Sequence, residues 1–271
     1  MSAHAYLLLT LAFYSVGLVQ TVMHVVTRRP LLGPATVAAT LVGFALHTAS
    51  LSLRWMEAGH FPALGLHDGA SFLAWATVLV FLLTYLRTRL DALGLAVFPA
   101  AFTLVLIAAL TRPGPGVPPA VAGLFLPLHA LLAFFGYAAL FLASALGALY
   151  LIQEYELKTR APSRFYYLIP SLERCDTLAA RSVAVGFALL TLAIVTGLLW
   201  SHEARGRYWT GDAKEWSALV AWGLYILLLV ARRRTGWGGR RAALLGIAGF
   251  TAVVFTFVWM AIFPGVAGAQ R

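Results

Sequence analysis

Residues Trp200 to Trp222 read WSHEARGRYWTGDAKEWSALVAW, a polar and aromatic stretch between two long apolar runs. It holds five of the chain's eighteen Trp and Tyr residues, together with His, Glu, Arg, Asp and Lys. Flat aromatic faces suit a planar ligand, whereas imidazole and charged groups can hold a metal and anionic groups. An aromatic belt at a membrane surface would also place Trp and Tyr here, but a belt does not require this density of charge.

The composition on either side is that of a membrane protein. Of 271 residues, 61% are hydrophobic and only 11% are charged, against about 25% charged residues in soluble domains. Because long apolar runs recur along the whole chain, we expect a polytopic protein with a single integral membrane domain over residues 1–271. The one cysteine, Cys175, excludes an internal disulfide, and the chain contains no CxxC motif.

Eight apolar runs are candidate transmembrane spans, each close to the roughly 20 residues that cross a bilayer. The sequence therefore predicts an all-α fold of about eight transmembrane helices. A polar hairpin separates the second and third spans, a Pro/Gly-rich loop follows the fourth, and a polar segment covers 154–181. The predicted spans are 5–27, 31–54, 69–86, 91–111, 124–154, 182–200, 215–230 and 244–263.

Basic residues orient these spans. The loops after the first, third, fifth and seventh spans hold 14 of the 20 Lys and Arg residues. Such loops lie in the cytoplasm by the positive-inside rule, so we expect both termini on the external, periplasmic side. The net charge of +10 then reflects topology, and no nucleic-acid partner is expected.

This orientation sorts the histidines. His60, His67 and His202 fall in predicted external loops, and His129 lies about one turn inside the external end of the fifth span. His60 and His67 could equally be ordinary loop residues. A histidine within a span is costly unless it has a partner, so His47 indicates a functional role or a structural hydrogen bond. For His129 a ligand role is favoured, while the small residues that follow it indicate close helix packing.

Several stretches resemble the CcsA/CcmC-type cytochrome c assembly proteins. YWTGDAKEWSALVAW, residues 208–222, resembles the tryptophan-rich "WWD" signature of that family. LRWMEAGHFPALGLHDGASFLAW, residues 53–75, resembles a second family stretch. PLHALLAFFGYAAL, residues 127–140, resembles the family helix that begins with an external histidine, and residues 236–250 resemble the start of its last helix.

The resemblance implies a haem-binding and haem-delivery subunit of cytochrome c biogenesis. It would present haem b at the outer face of the bacterial inner (cell) membrane for attachment to apocytochrome c. In the CcsA branch a ResB/CcsB-like membrane subunit would complete a cytochrome c synthase, or haem lyase, of which this chain would be a candidate component. The resemblance assigns no catalytic residue.

The same resemblance implies a set of site residues. His129 occupies the first external histidine position and is a candidate ligand of the haem iron. Arg205, Arg207 or Lys214 would suit the haem propionates. The other positions that match the signature are Trp200, Tyr208, Trp209, Asp212, Lys214, Glu215 and Trp222.

The sequence departs from the family pattern at the other histidines. No histidine follows the eighth span, where the family has its second external one, and Val230 stands close to the place of a membrane histidine. We therefore rank His202, two residues after Trp200, as the candidate second ligand, ahead of His60, His67 and His47.

Two other functions fit the architecture. HemX-like relatives are haem-binding regulatory or accessory membrane proteins of about this length, and a small-molecule permease could keep the helices without haem. Against a permease, no span is interrupted by the paired breaks typical of transporter sites. A neighbouring gene for a ResB-like protein would favour haem delivery, and neighbouring haem-biosynthesis genes would favour the HemX-like function.

Overall fold

The computed structural model describes residues 2–27, 29, 31–62, 65–114, 123–160 and 166–262, without the side chains of 167 and 256–262. This part of the chain forms eight α-helices and no strand, which confirms the predicted all-α fold. The predicted Pro/Gly-rich loop and the segment after the eighth span lie largely outside the described residues. The helices are α1 Ala3–Thr27, α2 Leu32–Ala58, α3 Gly65–Thr88, α4 Gly94–Leu110, α5 Phe125–Thr159, α6 Leu172–Arg205, α7 Ala213–Thr235 and α8 Gly239–Ile262.

Seven of these helices, α1 to α7, are long and apolar enough to cross a membrane, α4 being counted with the 3-10 turn Asp91–Leu93 that precedes it. The search covered the described residues only. The chain is therefore a multi-pass membrane protein, as predicted.

Several predicted helix ends were wrong, because polar residues do not by themselves end a helix. α5 continues to Thr159 and α6 begins at Leu172, so most of the predicted polar segment 154–181 is helical. Lys158 donates to Glu154 at 2.8 Å, an i,i+4 pair that supports the last turns of α5. α3 begins at Gly65, so His67 lies in the first turn of a helix and not in a loop.

The predicted loop between the sixth and seventh spans, 201–214, is also partly helical. Trp200 and His202 lie on the last turns of α6, and α7 already begins at Ala213, which leaves only 206–212 outside the helices. Gly206 ends α6 with φ +69°, and its N–H donates to the His202 carbonyl at 2.8 Å. Glycine adopts this left-handed conformation without steric cost, so it sets the true end of the helix.

The chain folds into two compact units. Unit 1 comprises Met1–Gly116 and Leu151–Leu172, and unit 2 comprises Val117–Tyr150 and Glu173–Arg271. In unit 1, Tyr14 of α1 is fully buried against α2. A Cβ at Gly43 would lie 2.9 Å from the Tyr14 ring, so the glycine makes this close approach possible.

In unit 2 the backbones of α5 and α6 come close together. A Cβ at Gly136 would lie 3.3 Å from the Leu190 nitrogen, and one at Gly186 would lie 3.2 Å from the Gly136 carbonyl oxygen. This confirms the close packing predicted from the small residues after His129. This close packing determines which side of α6 faces the first turns of α5, where His129 lies.

Candidate functional site

His129, in the second turn of α5, is held by the backbone of α6. Its Nδ1 lies 2.7 Å from the carbonyl oxygen of Ala193. Because a carbonyl oxygen can only accept, Nδ1 must carry the proton and donate it in this bond. In the neutral ring Nε2 then keeps its lone pair, and it has no hydrogen-bond partner among the described residues. This is the arrangement of a histidine that binds a metal through Nε2.

One face of α6 is shaped around this imidazole. A Cβ at Gly197 would lie 2.9 Å from both Cε1 and Nδ1 of His129, so only glycine leaves room for the ring. Trp200 stacks beside the imidazole with ring centres 6.2 Å apart and planes inclined by 12°. Ala193, Gly197 and Trp200 are spaced i, i+4 and i+7, so a single helix face supplies the acceptor, the space and the aromatic wall.

A cluster of charges borders the same place. The Arg205 guanidinium lies 5.9 Å from the centre of the Trp200 ring. Arg205 Nη1 and Lys214 Nζ each lie 3.5 Å from Oδ2 of Asp212. The Lys214 ammonium is within electrostatic range of the His129 imidazole. Two cations therefore share one carboxylate next to the histidine and its tryptophan.

The ionisation of Asp212 reflects this cluster. The pKa of its carboxyl lies below its ordinary value: burial raises it, but the nearby Thr210 side chain and the charges of Lys214 and Arg205 lower it by more. The carboxylate is therefore charged at neutral pH and neutralises part of the charge of Arg205 and Lys214.

Glu215 organises the segment between α6 and α7. Its carboxylate accepts hydrogen bonds from the backbone N–H of Thr210 at 3.0 Å and of Gly211 at 2.8 Å. It also accepts one from the Thr210 hydroxyl at 2.8 Å. Gly211 has φ +79°, a left-handed conformation that favours glycine. Both oxygens of Glu215 are thus used to hold the loop.

Two exposed ring pairs cover the outside of the segment. Tyr208 stacks on His202 with ring centres 4.2 Å apart, and Trp209 meets Trp216 edge-on at 5.4 Å. His202 follows Trp200 by two residues, so their side chains leave α6 about 200° apart. His129 packs on the Trp200 face, and the structure therefore does not bring His129 and His202 to the same face of α6.

Trp222 lies deeper along the helices. Its Nε1 donates to the Thr191 hydroxyl at 3.0 Å, and its ring stacks on Phe187 at 5.7 Å. Thr191 precedes Trp200 by nine residues, which is about 13 Å along a helix axis. Trp222 therefore joins α7 to α6 below the segment that holds the charges.

Unit 1 contains the other candidate histidines. His47 is fully buried, with Nδ1 3.4 Å from the Tyr14 hydroxyl and Nε2 3.1 Å from the Ser71 hydroxyl. His60 donates from Nδ1 to the carbonyl of Phe61 at 3.1 Å.

His67, also in unit 1, is buried at the start of α3. Its Nδ1 donates to the carbonyls of Ala108 at 2.7 Å and Thr111 at 3.1 Å, at the end of α4. Its neighbour Asp68 accepts hydrogen bonds from Arg54 of α2 at 3.0 and 3.3 Å. These residues hold α2, α3 and α4 together.

Sequence reasoning gave no role to the two positions that fix His129. Ala193 acts through its backbone carbonyl, which leaves no trace in the sequence. Gly197, one turn before Trp200, matched the family pattern that leads up to that tryptophan, but the match assigned it no role. A glycine at that spacing from an aromatic residue is a signal of a close approach by a neighbouring side chain.

Comparisons with known proteins agree with this architecture. The family model described as "Cytochrome C assembly protein" matches residues 65–265. The chain is 32% identical over 241 residues to "Cytochrome c biogenesis protein CcsA" of Prochlorococcus marinus (strain MIT 9303), covering 78% of this chain and 76% of that protein. It is 30% identical over 235 residues to the protein of the same name from Guillardia theta, covering 79% and 78%.

A solved structure shares the fold. The protein titled "Cytochrome c Heme Lyase CcmF" matches 98% of this chain with a TM-score of 0.67 and 14% sequence identity. This chain spans about half of that protein, 51% of its length. At this identity the likeness shows a common fold of the helices.

Proposed function

This chain belongs to the Cytochrome C assembly protein family, and on that premise we propose that it binds haem at His129 and presents it for attachment to apocytochrome c. The observation that carries the proposal is the hydrogen bond from His129 Nδ1 to the Ala193 carbonyl. It leaves Nε2 as a lone-pair donor, and histidine nitrogen is a common axial ligand of haem iron.

The surroundings of His129 support a planar, anionic cargo. Trp200 lies beside the imidazole and limits the rotation of its ring. Arg205 and Lys214 supply two cations for two carboxylates, and arginine in particular binds carboxylates in a planar, two-pronged geometry. Tyr208 and Trp209 add exposed aromatic surface on the loop. The cargo is haem b, held without a covalent bond until apocytochrome c receives it.

The wider setting belongs to the same proposal. We place the protein in the bacterial inner membrane with both termini outside, so that His129 and the loop 206–212 face the periplasm. A ResB/CcsB-like subunit would complete a cytochrome c synthase with this chain. The basic loops support this orientation, because 14 of the 20 Lys and Arg residues lie on the side assigned to the cytoplasm.

An absorption spectrum of the detergent-purified protein tests haem binding. Protein from haem-replete cells should show a Soret band, and His129→Ala should lose the band or most of its intensity. Added imidazole should restore it by replacing the missing ligand. His4→Ala, which removes an exposed histidine of α1, is the control and should keep the band. Wild-type protein that shows no band and gains none with hemin would contradict the proposal.

For the second iron ligand we propose His202. In the present arrangement it stacks on Tyr208 and leaves α6 on another face than Trp200, so binding the same iron as His129 would require this stack to open and the last turn of α6 to rearrange. His202→Ala should then alter the spectrum and respond to imidazole, whereas His60→Ala should not. A His202→Ala spectrum equal to wild type, with His129→Ala still defective, would mean that this chain supplies one ligand and that the other comes from a partner.

Reporter fusions test the orientation. Fusions after Arg89 and Arg234 should report a cytoplasmic position, and fusions at Gly59 and Gly206 a periplasmic one. The opposite pattern would move the His129 site to the cytoplasmic side and would overturn the delivery step, although haem binding itself could remain.

A further inference from the structure

We infer that Asp212 is an exchangeable counter-ion, which competes with the carboxylates of the cargo for Arg205 and Lys214 and so favours release of the cargo. The inference rests on the proposed haem site and adds to it a residue that limits affinity. Three observations support the inference. Asp212 lies at the start of α7, it makes two long ion pairs, and both of its cations lie beside His129 and Trp200.

Asp212 occupies the N-cap position of α7 but does not cap the helix with its side chain. Its backbone is extended, with φ −64° and ψ 148°, as is usual for an N-cap residue. Aspartate is favoured there because its carboxylate normally accepts a hydrogen bond from the first turn. Here the side chain makes no such bond, and the carboxylate points to Arg205 and Lys214 instead.

The loop is held by another residue, so Asp212 can move. Glu215 accepts the N–H groups of Thr210 and Gly211 and the hydroxyl of Thr210. The Asp212 carbonyl, and not its carboxylate, accepts the N–H of Glu215 at 2.9 Å. Movement of the carboxylate therefore breaks no hydrogen bond with the backbone of α7.

The two ion pairs are weak and easily replaced. Both run to the same oxygen, Oδ2, at 3.5 Å, and about a quarter of each side chain of Asp212 and Lys214 is exposed, with 28% and 23% respectively. Partly exposed pairs of this kind contribute little, because water screens them and two side chains must be held in place. A carboxylate from a bound ligand would meet the same cations with comparable strength.

The position of the cations makes this exchange relevant to the cargo. Arg205 lies over the Trp200 ring, which stacks on His129, and Lys214 shares the Asp212 carboxylate with Arg205. Carboxylates of a macrocycle bound through His129 would meet two cations whose charge Asp212 already neutralises in part, so they would compete with Asp212 for both. The binding free energy of the ligand is therefore smaller than it would be with two unpaired cations. When the ligand leaves, the Asp212 carboxylate can pair with both cations again.

Removal of the competing charge should tighten binding of a carboxylate-bearing porphyrin only. We expect Asp212→Asn to lower the dissociation constant of hemin about fivefold, the sum of two weak ion pairs. The probe without free carboxylates is hemin dimethyl ester, whose dissociation constant should not change. Both probes are titrated into the full-length protein in detergent and followed by the Soret band.

Two controls separate this effect from a general one. Glu173→Gln removes the same charge from an exposed residue at the other end of α6, and it should leave both dissociation constants unchanged. Asp212→Ser also removes the charge and keeps a good N-cap residue, so it should give the same result as Asp212→Asn. It replaces Asp212→Asn in the test if that variant fails to fold.

The outcomes distinguish the inference from the proposed function. Wild-type protein that binds neither hemin nor its ester contradicts the haem site itself. If the wild type binds hemin but neither Asp212 variant tightens it, the haem site stands and the competition is wrong. Equal tightening of hemin and its ester, or the same gain from Glu173→Gln, would also overturn the competition.

Discussion

His47 of unit 1 and His129 of unit 2 differ in the use of their second nitrogen. In unit 1 both nitrogens of His47 are within hydrogen-bond distance of hydroxyl groups. Nδ1 of His67 donates to two carbonyls, and its Nε2 lies 4.0 Å from the Asp68 carboxylate. In unit 2, His129 uses Nδ1 in the same way as His67, and its Nε2 likewise has no hydrogen-bond partner among the described residues.

The difference separates a structural histidine from a candidate ligand. A buried imidazole is costly without partners, and His47 has a partner at each nitrogen, whereas Nε2 of His67 lies too far from the Asp68 carboxylate for a hydrogen bond. His129 has a hydrogen-bond partner for Nδ1 only, so its Nε2 is available to a ligand. Depth in a span therefore does not by itself indicate a ligand, whereas a nitrogen without a hydrogen-bond partner is what the proposed ligand requires. The predictions below test whether the unit 1 groups act on stability alone and the unit 2 groups on haem.

The largest effect is expected at Asp68. Its carboxylate is almost fully buried and pairs with Arg54, so Asp68→Asn should lower the free energy of unfolding by about 3 kcal/mol. Unfolding in detergent, followed by tryptophan fluorescence, measures it, and Glu173→Gln is the exposed control. Hemin affinity should stay within twofold of the wild type. A large loss of hemin affinity in folded protein would assign the Asp68 cluster to the haem site.

A smaller loss of stability is expected at His47. His47→Ala removes a fully buried ring and leaves the hydroxyls of Tyr14 and Ser71 without their partner. We expect the free energy of unfolding to fall by about 2 kcal/mol, with an unchanged Soret band in the folded fraction. A band lost from folded His47→Ala protein would place His47 among the haem ligands and break the comparison.

The third prediction concerns the space for His129. Gly197→Ala would put a Cβ 2.9 Å from the imidazole, so the ring must shift from the Ala193 carbonyl. Overpacking of this kind costs about 1–3 kcal/mol, and we expect hemin to bind about tenfold more weakly. Gly223→Ala on α7 is the matched control, because a Cβ there meets nothing within 4 Å. Equal affinity for wild type and Gly197→Ala would show that the Ala193 bond does not position the ligand.

The architecture could be predicted from the sequence to a large extent. Apolar runs of spanning length indicated the all-α class and about eight helices, because a run of about 20 apolar residues has the length of a membrane-spanning helix, whereas a spanning strand is about half as long. The ends could not be read from polarity. Glu154 and Lys158 pair along α5 and extend it, whereas Gly206 stops α6 through its positive φ. The positions that end a helix are set by backbone conformation, not by charge.

The site could be predicted only in part. His129 was identifiable from the cost of an imidazole in a span, together with the family resemblance. Its acceptor lies 64 residues away in a backbone carbonyl, and only the packing of α5 on α6 brings the two together. Glu215 was predicted to bind the cofactor, and its bonds to the loop emerge only in three dimensions.

The smallest expected effect concerns Trp222, the indole that matches the signature but lies away from His129. If its role is to hold α7 on α6, the bond from Nε1 to the Thr191 hydroxyl should appear as a coupling between the two side chains. Hydrogen bonds between membrane helices contribute on average about 0.6 kcal/mol in double-mutant cycles. We therefore expect a coupling of about that size in the free energy of unfolding between Trp222→Phe and Thr191→Val.

Trp222→Phe combined with Thr235→Val, whose hydroxyl bonds within its own helix to Ala231, should show no coupling. Hemin affinity should be unchanged in Trp222→Phe, because the phenyl ring can still pack on Phe187 and nothing next to His129 is altered. Weaker hemin binding with no coupling to Thr191 would reverse this assignment and would make Trp222 part of the haem surface, alongside Trp200.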